Sequence, residues 1–245
     1  MNTIRIVMLL VGLFTLQSCH TKEIETETEP GTLIVPYIDC AAVEAEDVPA
    51  VLDEAGVAFQ TIGVVNWSAY PYKPSVRFRI AHTGNAILIH YQVEEKSVAA
   101  LAGDGGAVYK DACCEFFVTP ANDGIYYNFE TNCAGALLLQ AGKERGNQRT
   151  EAPRSVYDMV QRWASLGREP FGLRQQQTKW QLALVIPVEA FFLHSVTSLS
   201  GKTMRANFYK CGNDLNPRHY LSWRPISTPK PDFHQPKYFG SLVFE

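Results

Sequence analysis

The stretch Cys113-Cys114-Glu115-Phe116-Phe117-Val118-Thr119-Pro120-Ala121-Asn122-Asp123-Gly124-Ile125-Tyr126-Tyr127-Asn128-Phe129-Glu130-Thr131-Asn132 decides the fold. Cys114, Phe116 and Val118 recur at period two. Ile125, Tyr127 and Phe129 alternate with Tyr126, Asn128 and Glu130. Alternation over four to eight residues marks a strand with two unlike faces. Between the two runs lies Asn122-Asp123-Gly124, a hairpin signal because Asp-Gly readily takes positive φ.

The same pattern extends outward. Val76, Phe78 and Ile80 alternate with Arg77 and Arg79. Ile87, Ile89, Tyr91 and Val93 alternate with Leu88, His90 and Gln92, and Thr83-Gly84-Asn85 separates these two runs. Trp180, Leu182, Leu184 and Ile186 form another. Asp47–Glu54 reads as a short helix, with Asp47 as cap and Pro49 in its first turn. Ser155–Leu166 fits both a helix and an alternating strand. Many short strands punctuated by turns predict an all-β chain: an antiparallel β-sandwich, immunoglobulin-like or jelly-roll-like, with a short N-terminal helix.

The chain has 245 residues, 46% hydrophobic, 11% aromatic and 19% charged, which excludes disorder over most of its length. Ten acids and no base lie in residues 23–54, leaving 20 bases against 15 acids in 55–245. That mild excess is an ordinary surface and argues against a nucleic-acid partner. The run Ile6–Leu16 is too short to span a bilayer and fits a signal-peptide core. It ends in Leu16-Gln17-Ser18-Cys19, which resembles a bacterial lipoprotein signal with Cys19 as the lipidated residue. The expected organisation is a signal peptide (1–18), an acidic tether (19–35) and one sandwich (36–245). The expected location is the outer membrane of a Gram-negative bacterium, facing the periplasm or the cell surface, through a lipid anchor.

Several chemistries are weighed on the residues. Asp111, Glu115 and Glu130 are candidate carboxylates for glycoside hydrolysis, calcium ligation or hydrogen bonding to sugar hydroxyls. The histidines show no paired metal spacing, and there is no nucleophile elbow and no phosphate-binding glycine loop. Cys40, Cys113, Cys114, Cys133 and Cys211 cannot all pair with one another. None lie at C-x-x-C spacing, which argues against a zinc knuckle. Export permits one disulfide, and buried free thiols are the simpler reading. Tyr126, Asn128, Glu130 and Asn132 share one strand face, Asn207 and Tyr209 share another, and Tyr220, Trp223, Phe233, Tyr238 and Phe239 crowd the C-terminal end. Flat rings beside amides and carboxylates suit a sugar, and equally suit a core.

Five motifs, in this order, carry a family resemblance. They are Val65-Asn66-Trp67 with Tyr70-Pro71-Tyr72-Lys73-Pro74, Asp111-Ala112-Cys113-Cys114-Glu115-Phe116-Phe117, Tyr126-Tyr127-Asn128-Phe129-Glu130, Asn207-Phe208-Tyr209-Lys210-Cys211-Gly212, and Leu221-Ser222-Trp223 with Asp232-Phe233-His234-Gln235-Pro236 and Phe239-Gly240. Over about residues 60–245 the chain resembles carbohydrate-binding module family 9, most closely the stand-alone family-9-like proteins of Bacteroidetes-type bacteria. The resemblance implies a β-sandwich that binds sugars, typically at glycan reducing ends, in support of glycan capture or degradation. It places Tyr109 and Phe233 at the positions of two stacking rings, both Trp in the best-known members. It matches Glu115 to a sugar-contacting acid, sets Glu130 where the family has Arg, and aligns Asn132 with a polar position. The expected carbohydrate site is therefore Tyr109, Glu115, Asn128, Glu130, Asn132, Asn207, Tyr209, Trp223, Phe233 and His234, with no catalytic residue. Structural calcium is implied for some members, but its ligands are not placed on this sequence. The expected partners are a glycan and other glycan-utilisation proteins. The alternatives are a hydrolase using a carboxylate pair, and a surface interaction protein without a sugar site.

Overall fold

The computed structural model describes residues 31–40, 42–146 and 148–245. The expected signal peptide, Cys19 and most of the expected tether lie outside the described residues. In chain order the strands are β1 (Thr32–Val35), β2 (Gln60–Thr61), β3 (Val64–Val65), β4 (Ser75–His82), β5 (Ala86–Glu95), β6 (Val98–Ala100), β7 (Cys113–Thr119), β8 (Tyr126–Asn132), β9 (Leu137–Gly142), β10 (Thr150–Glu151), β11 (Gln161–Ala164), β12 (Phe171–Arg174), β13 (Thr178–Pro187), β14 (Thr203–Gly212), β15 (His219–Ser222) and β16 (Gly240–Phe244). Two short helices, α1 (Val48–Glu54) and α2 (Arg154–Met159), interrupt them.

The strands form the expected sandwich. A nine-stranded sheet runs β1-β16-β14-β7-β8-β9-β10, with β15 on β14 and β3 on β15. A five-stranded sheet runs β11-β13-β5-β4-β2, and β12 with β6 makes a small third sheet. The strand pairings are antiparallel except β1 with β16, which is parallel. Thr32–Val35, assigned to the tether from sequence, is thus part of the main sheet. Val35 is fully buried there, so its apolar side chain anchors the strand in a way the acidic surroundings concealed.

Two other local readings are refined. Residues 154–164 contain both structures that the pattern allowed, in succession: α2, then β11, with the chain turning extended at Val160. Helix α1 has Asp47 at its cap position, but the Asp47 side chain makes no capping hydrogen bond. Pro49 lies in its first turn as expected, while Val48 and Leu52 bury against the outer face of the five-stranded sheet beside Ala81, Leu88 and Val185.

The sheets meet through aromatic rings. Phe78 of β4 stacks on Phe208 of β14 with centroids 3.7 Å apart, and Phe208 stacks on Phe116 of β7 at 4.9 Å. Trp223 stands edge-on to both Phe78 and Phe208, at 5.9 and 5.7 Å. Each such side chain contributes roughly 1.5–3 kcal/mol by leaving water.

One end of this core holds charge. Lys210 on β14 and Glu95 on β5 are both fully buried and form an ion pair of 3.0 Å across the two sheets. Trp180 Nε1 donates to Glu95 Oε1 at 2.7 Å. Burial favours a neutral Lys210, but the attraction of Glu95 prevails and holds its pKa above the ordinary lysine value. His219 lies 2.9 Å from Lys210 Nζ and is pushed down to about 2 by burial and by that ammonium. It therefore stays neutral. Its Nδ1 donates to Pro217 O, so Nε2 is the acceptor for Lys210.

On the outer face of the five-stranded sheet, His90 accepts from Arg79 Nε through Nδ1 and donates through Nε2 to Gln181 Oε1. Arg79 is also paired with Asp53 of α1. Burial, with Arg79 and Arg77 adding to it and Gln181 and Asp53 opposing, pushes His90 down to about 4. An unfolded His titrates near 6.5, so below that pH the unfolded chain takes up a proton the folded chain refuses. Stability therefore falls with acid, by about 2 kcal/mol from pH 7 to pH 5 for this residue. Urea unfolding at both pH values should show that His90→Gln loses less on acidification than the parent; equal losses would remove His90 as the cause.

Candidate functional site

Alternation sorts the central strands into two faces. Phe116, Phe129 and Phe208 point between the sheets. The opposite face carries Cys113, Glu115 and Phe117 of β7, Tyr126, Asn128, Glu130 and Asn132 of β8, and Asn207, Tyr209 and Cys211 of β14. Register lines these up in rows: Glu115 lies between Glu130 and Tyr209, and Cys113 between Asn132 and Cys211. The segment around Ile226, Phe233 and Phe239 folds back over this face with Trp67, making a second, smaller core.

Beside that core the face opens into a cavity of about 270 Å³. Its floor is Glu115, Glu130, Leu138 and Cys211. Its walls include Tyr109, Tyr220, Phe233 and His234, with Arg145, Arg149 and Asp232 at the sides. Tyr109 sits in a single 3-10 turn, Val108–Lys110, and is 37% exposed. Asn213 N donates to its carbonyl, tying the turn to the loop after β14. Phe233 is only 8% exposed. It lies flat on Tyr209, with centroids 4.2 Å apart and planes 4° from parallel, and Tyr209 OH donates to its carbonyl.

The floor carboxyls are poor in partners. Cys211 Sγ donates to Glu115 Oε1 at 3.0 Å. Burial drives Glu115 well above the usual carboxylate range, with the Cys211 thiol and Glu130 adding to it. Asn128 Nδ2 donates to Glu130 Oε1 at 2.8 Å, and Arg149 Nη2 donates to Asn128 Oδ1 at 2.6 Å. Glu130 is nevertheless pushed up to about 7 by burial. Arg149 is held by the carbonyls of Tyr126 and Gln140, and its guanidinium lies 4.0 Å from the Tyr126 ring. His234 Nδ1 and Tyr126 OH are hydrogen-bonded at 2.8 Å, with the direction set by the imidazole tautomer. Burial, with help from Arg149 and Arg145, pushes His234 down to about 4. The cavity thus combines two acids whose protons burial holds more tightly than usual, a neutral imidazole and cations on one side, a set able to donate to and accept from hydroxyl groups.

The structure brings together Tyr109, Glu115, Glu130, Phe233 and His234 on the cavity. It places Tyr209 beneath Phe233 and Asn128 behind Glu130 as supports. Asn132, Asn207 and Trp223 lie elsewhere, and each has a physical reason. Asn132 donates to Asp111 Oδ2 and the Ala102 carbonyl and accepts from Ala134 N and Ala136 N, closing the turn after β8. Asn207 donates to Arg224 O and accepts from Phe208 N and Arg224 N. Trp223 is spent in the core between the sheets. Asp111, a candidate carboxylate, accepts from Leu101 N and Ala102 N and lies off the cavity. Arg145 and Arg149 were not singled out from sequence, and Tyr220 and Cys211 were noted there as a C-terminal ring and a thiol, outside the expected site. Arg145 and Arg149 come from a loop with no periodicity, so nothing in the pattern pointed to them.

Over residues 46–244 the sequence matches carbohydrate-binding family 9. No curated protein matches the chain. A solved Bacteroides uniformis protein, to which carbohydrate binding is ascribed, is 55% identical, with 87% of this chain and 99% of that one covered and a TM-score of 0.85. A family 9 carbohydrate-binding module from Caldicellulosiruptor kristjanssonii is 12% identical. Its complex with cellotriose aligns at a TM-score of 0.53 over 87% of this chain and 93% of that one, and its complex with glucose at 0.52 over 87% and 95%. At that identity the likeness concerns the fold. The family match spans nearly the whole described sandwich, and the chain belongs to carbohydrate-binding family 9.

Proposed function

We propose that the protein binds carbohydrate without cleaving it, in the cavity between Tyr109 and Phe233. The observation that carries this reading is the cavity itself: in a family 9 chain, an exposed ring and a braced ring stand over two hydrogen-bonding acids on a rigid sheet. Tyr109 supplies a stacking face for the C–H side of a sugar ring. Glu115, Glu130 and the His234 imidazole meet its hydroxyls. The small volume suits the end of a chain or a single residue better than a long polymer segment.

Calorimetry with glucose, cellotriose and matched xylo- and manno-oligosaccharides tests the reading. Saturable binding of at least one is expected, with Tyr109→Ala weakening it about tenfold or more at unchanged melting temperature, since one stacked ring is worth roughly 0.5–1.5 kcal/mol beyond its buried area. Absence of binding to every sugar, or an unaffected Tyr109→Ala, would overturn it. Release of reducing sugar that depends on Glu115 or Glu130 would replace it with the hydrolytic alternative.

The chain is further proposed to be a lipoprotein anchored through Cys19 in an outer membrane, working beside glycan-degrading proteins. The Leu16-Gln17-Ser18-Cys19 sequence and the acidic segment after it support this. Intact mass of the membrane-extracted protein decides the anchor: a chain that still begins at Met1, or carries no lipid, sinks it.

A further inference from the structure

Cys113 and Cys211 are register partners on adjacent strands, and Glu115 follows Cys113 by two residues on the same face. All three are buried, at 2% exposure or less. Their two sulfurs and one carboxylate oxygen lie within 4.8 Å of one another. Each has only weak alternatives. Cys113 Sγ reaches Cys114 O at 3.6 Å, Cys211 Sγ reaches Tyr109 O at 3.4 Å, and Glu115 has the Cys211 thiol as its one hydrogen-bond partner among the described residues. A buried carboxyl served by a single weak donor is costly, and such a group calls for an explanation.

We propose that Cys113, Cys211 and Glu115 form a binding site for one zinc-class divalent cation, opening onto the cavity. Two sulfurs and one oxygen select a borderline-soft ion and disfavour calcium and magnesium, which take all-oxygen shells. On binding, two thiols and one carboxylic acid release three protons to solvent, and the ion takes two thiolates and one carboxylate. Three protein ligands leave a fourth position. Cys211 and Glu115 both line the cavity, so that position faces water or a ligand hydroxyl, and the ion has an entry path. The site stands independently of the carbohydrate reading, although it shares Glu115 with it.

The test uses the full protein, reduced and stripped of metal with a chelator, without saccharide. Titration with Cd²⁺ should give a sulfur-to-metal charge-transfer band saturating at one equivalent, and Co²⁺ the visible bands of a tetrahedral thiolate site. Cys113→Ser and Cys211→Ser should each weaken binding about 100-fold or more, at least the loss caused by removing a supporting contact of a metal site. Cys40→Ser should change nothing, and Ca²⁺ should neither bind nor compete. Because a buried Cys→Ser change threatens folding, the unsubstituted protein gives a second readout. Zn²⁺ should slow alkylation of Cys113 and Cys211 selectively and raise the melting temperature. No charge-transfer band, a band retained in both serine variants, or no protection of these two thiols would overturn the proposal. Saccharide calorimetry in chelator scores the carbohydrate reading separately, so failure of either leaves the other standing.

Discussion

Lys210→Met is expected to destabilise the protein by about 3–5 kcal/mol, the usual cost of breaking a buried ion pair by removing one partner. For a chain of this size that corresponds to a fall in melting temperature of roughly 10 °C. The cause is not the attraction lost but the group left behind. Glu95 is fully buried and, among the described residues, keeps the Trp180 N–H as its one hydrogen-bond donor, so it must protonate or stay charged in an apolar core. Glu95→Leu alone should be comparably harmful, because it strands an ammonium whose remaining contacts are His219 and a backbone carbonyl. The double variant Lys210→Met with Glu95→Leu should recover most of the loss, since an apolar pair of similar volume is often neutral or stabilising. Urea denaturation of the four proteins gives the coupling directly. A single-variant loss under about 1 kcal/mol, or a double variant as unstable as the sum of the singles, would show that the pair is not acting as a unit.

Phe233→Ala should cost about 3–5 kcal/mol and remove carbohydrate binding with it. Phe233 lies flat on Tyr209, tilts against Trp67 with centroids 6.0 Å apart and meets Tyr220 edge-on at 6.2 Å. Truncation opens a hole in the smaller core and removes a wall of the cavity together. Phe233→Leu separates the two jobs. It keeps most of the volume, so its stability loss should be about 1 kcal/mol. If the ring itself contacts ligand, affinity still drops; if Phe233 serves only to brace Tyr209, affinity survives. Denaturation and calorimetry on both variants read these outcomes, and an alanine variant of parental stability would mean the ring is not packed as described.

The strands were legible because their two faces differ in chemistry. The Asn122-Asp123-Gly124 turn and Gly84 do what their sequence requires, with φ near +84° and +86° at the two glycines. Alternation also put Asn132 and Asn207 on the correct face. It could not say how far along a strand the cavity extends, and both amides lie where neighbouring backbone groups need them. Glu130 and Asn132 differ by one step of the pleat, yet one lies on the cavity floor and the other closes a turn. Trp223 was misplaced for a related reason: an aromatic residue just after a strand carries no mark of whether it turns into the core or out of it. The wall residues Arg145 and Arg149 depended on a loop path that no period records. The Lys210–Glu95 pair joins residues far apart in sequence, and nothing in either local pattern names the partner.

The cavity is built from two kinds of material. Glu115, Glu130 and Cys211 sit on strands whose reverse faces hold Phe116, Phe129 and Phe208, so the floor is the back of the main core. Tyr109, Arg145 and the neighbours Asp232 and Phe233 come from three connecting segments. Ligand preference is therefore modular: it can be redrawn one loop at a time without disturbing the sheet, whereas a change to the floor is felt on both sides of it.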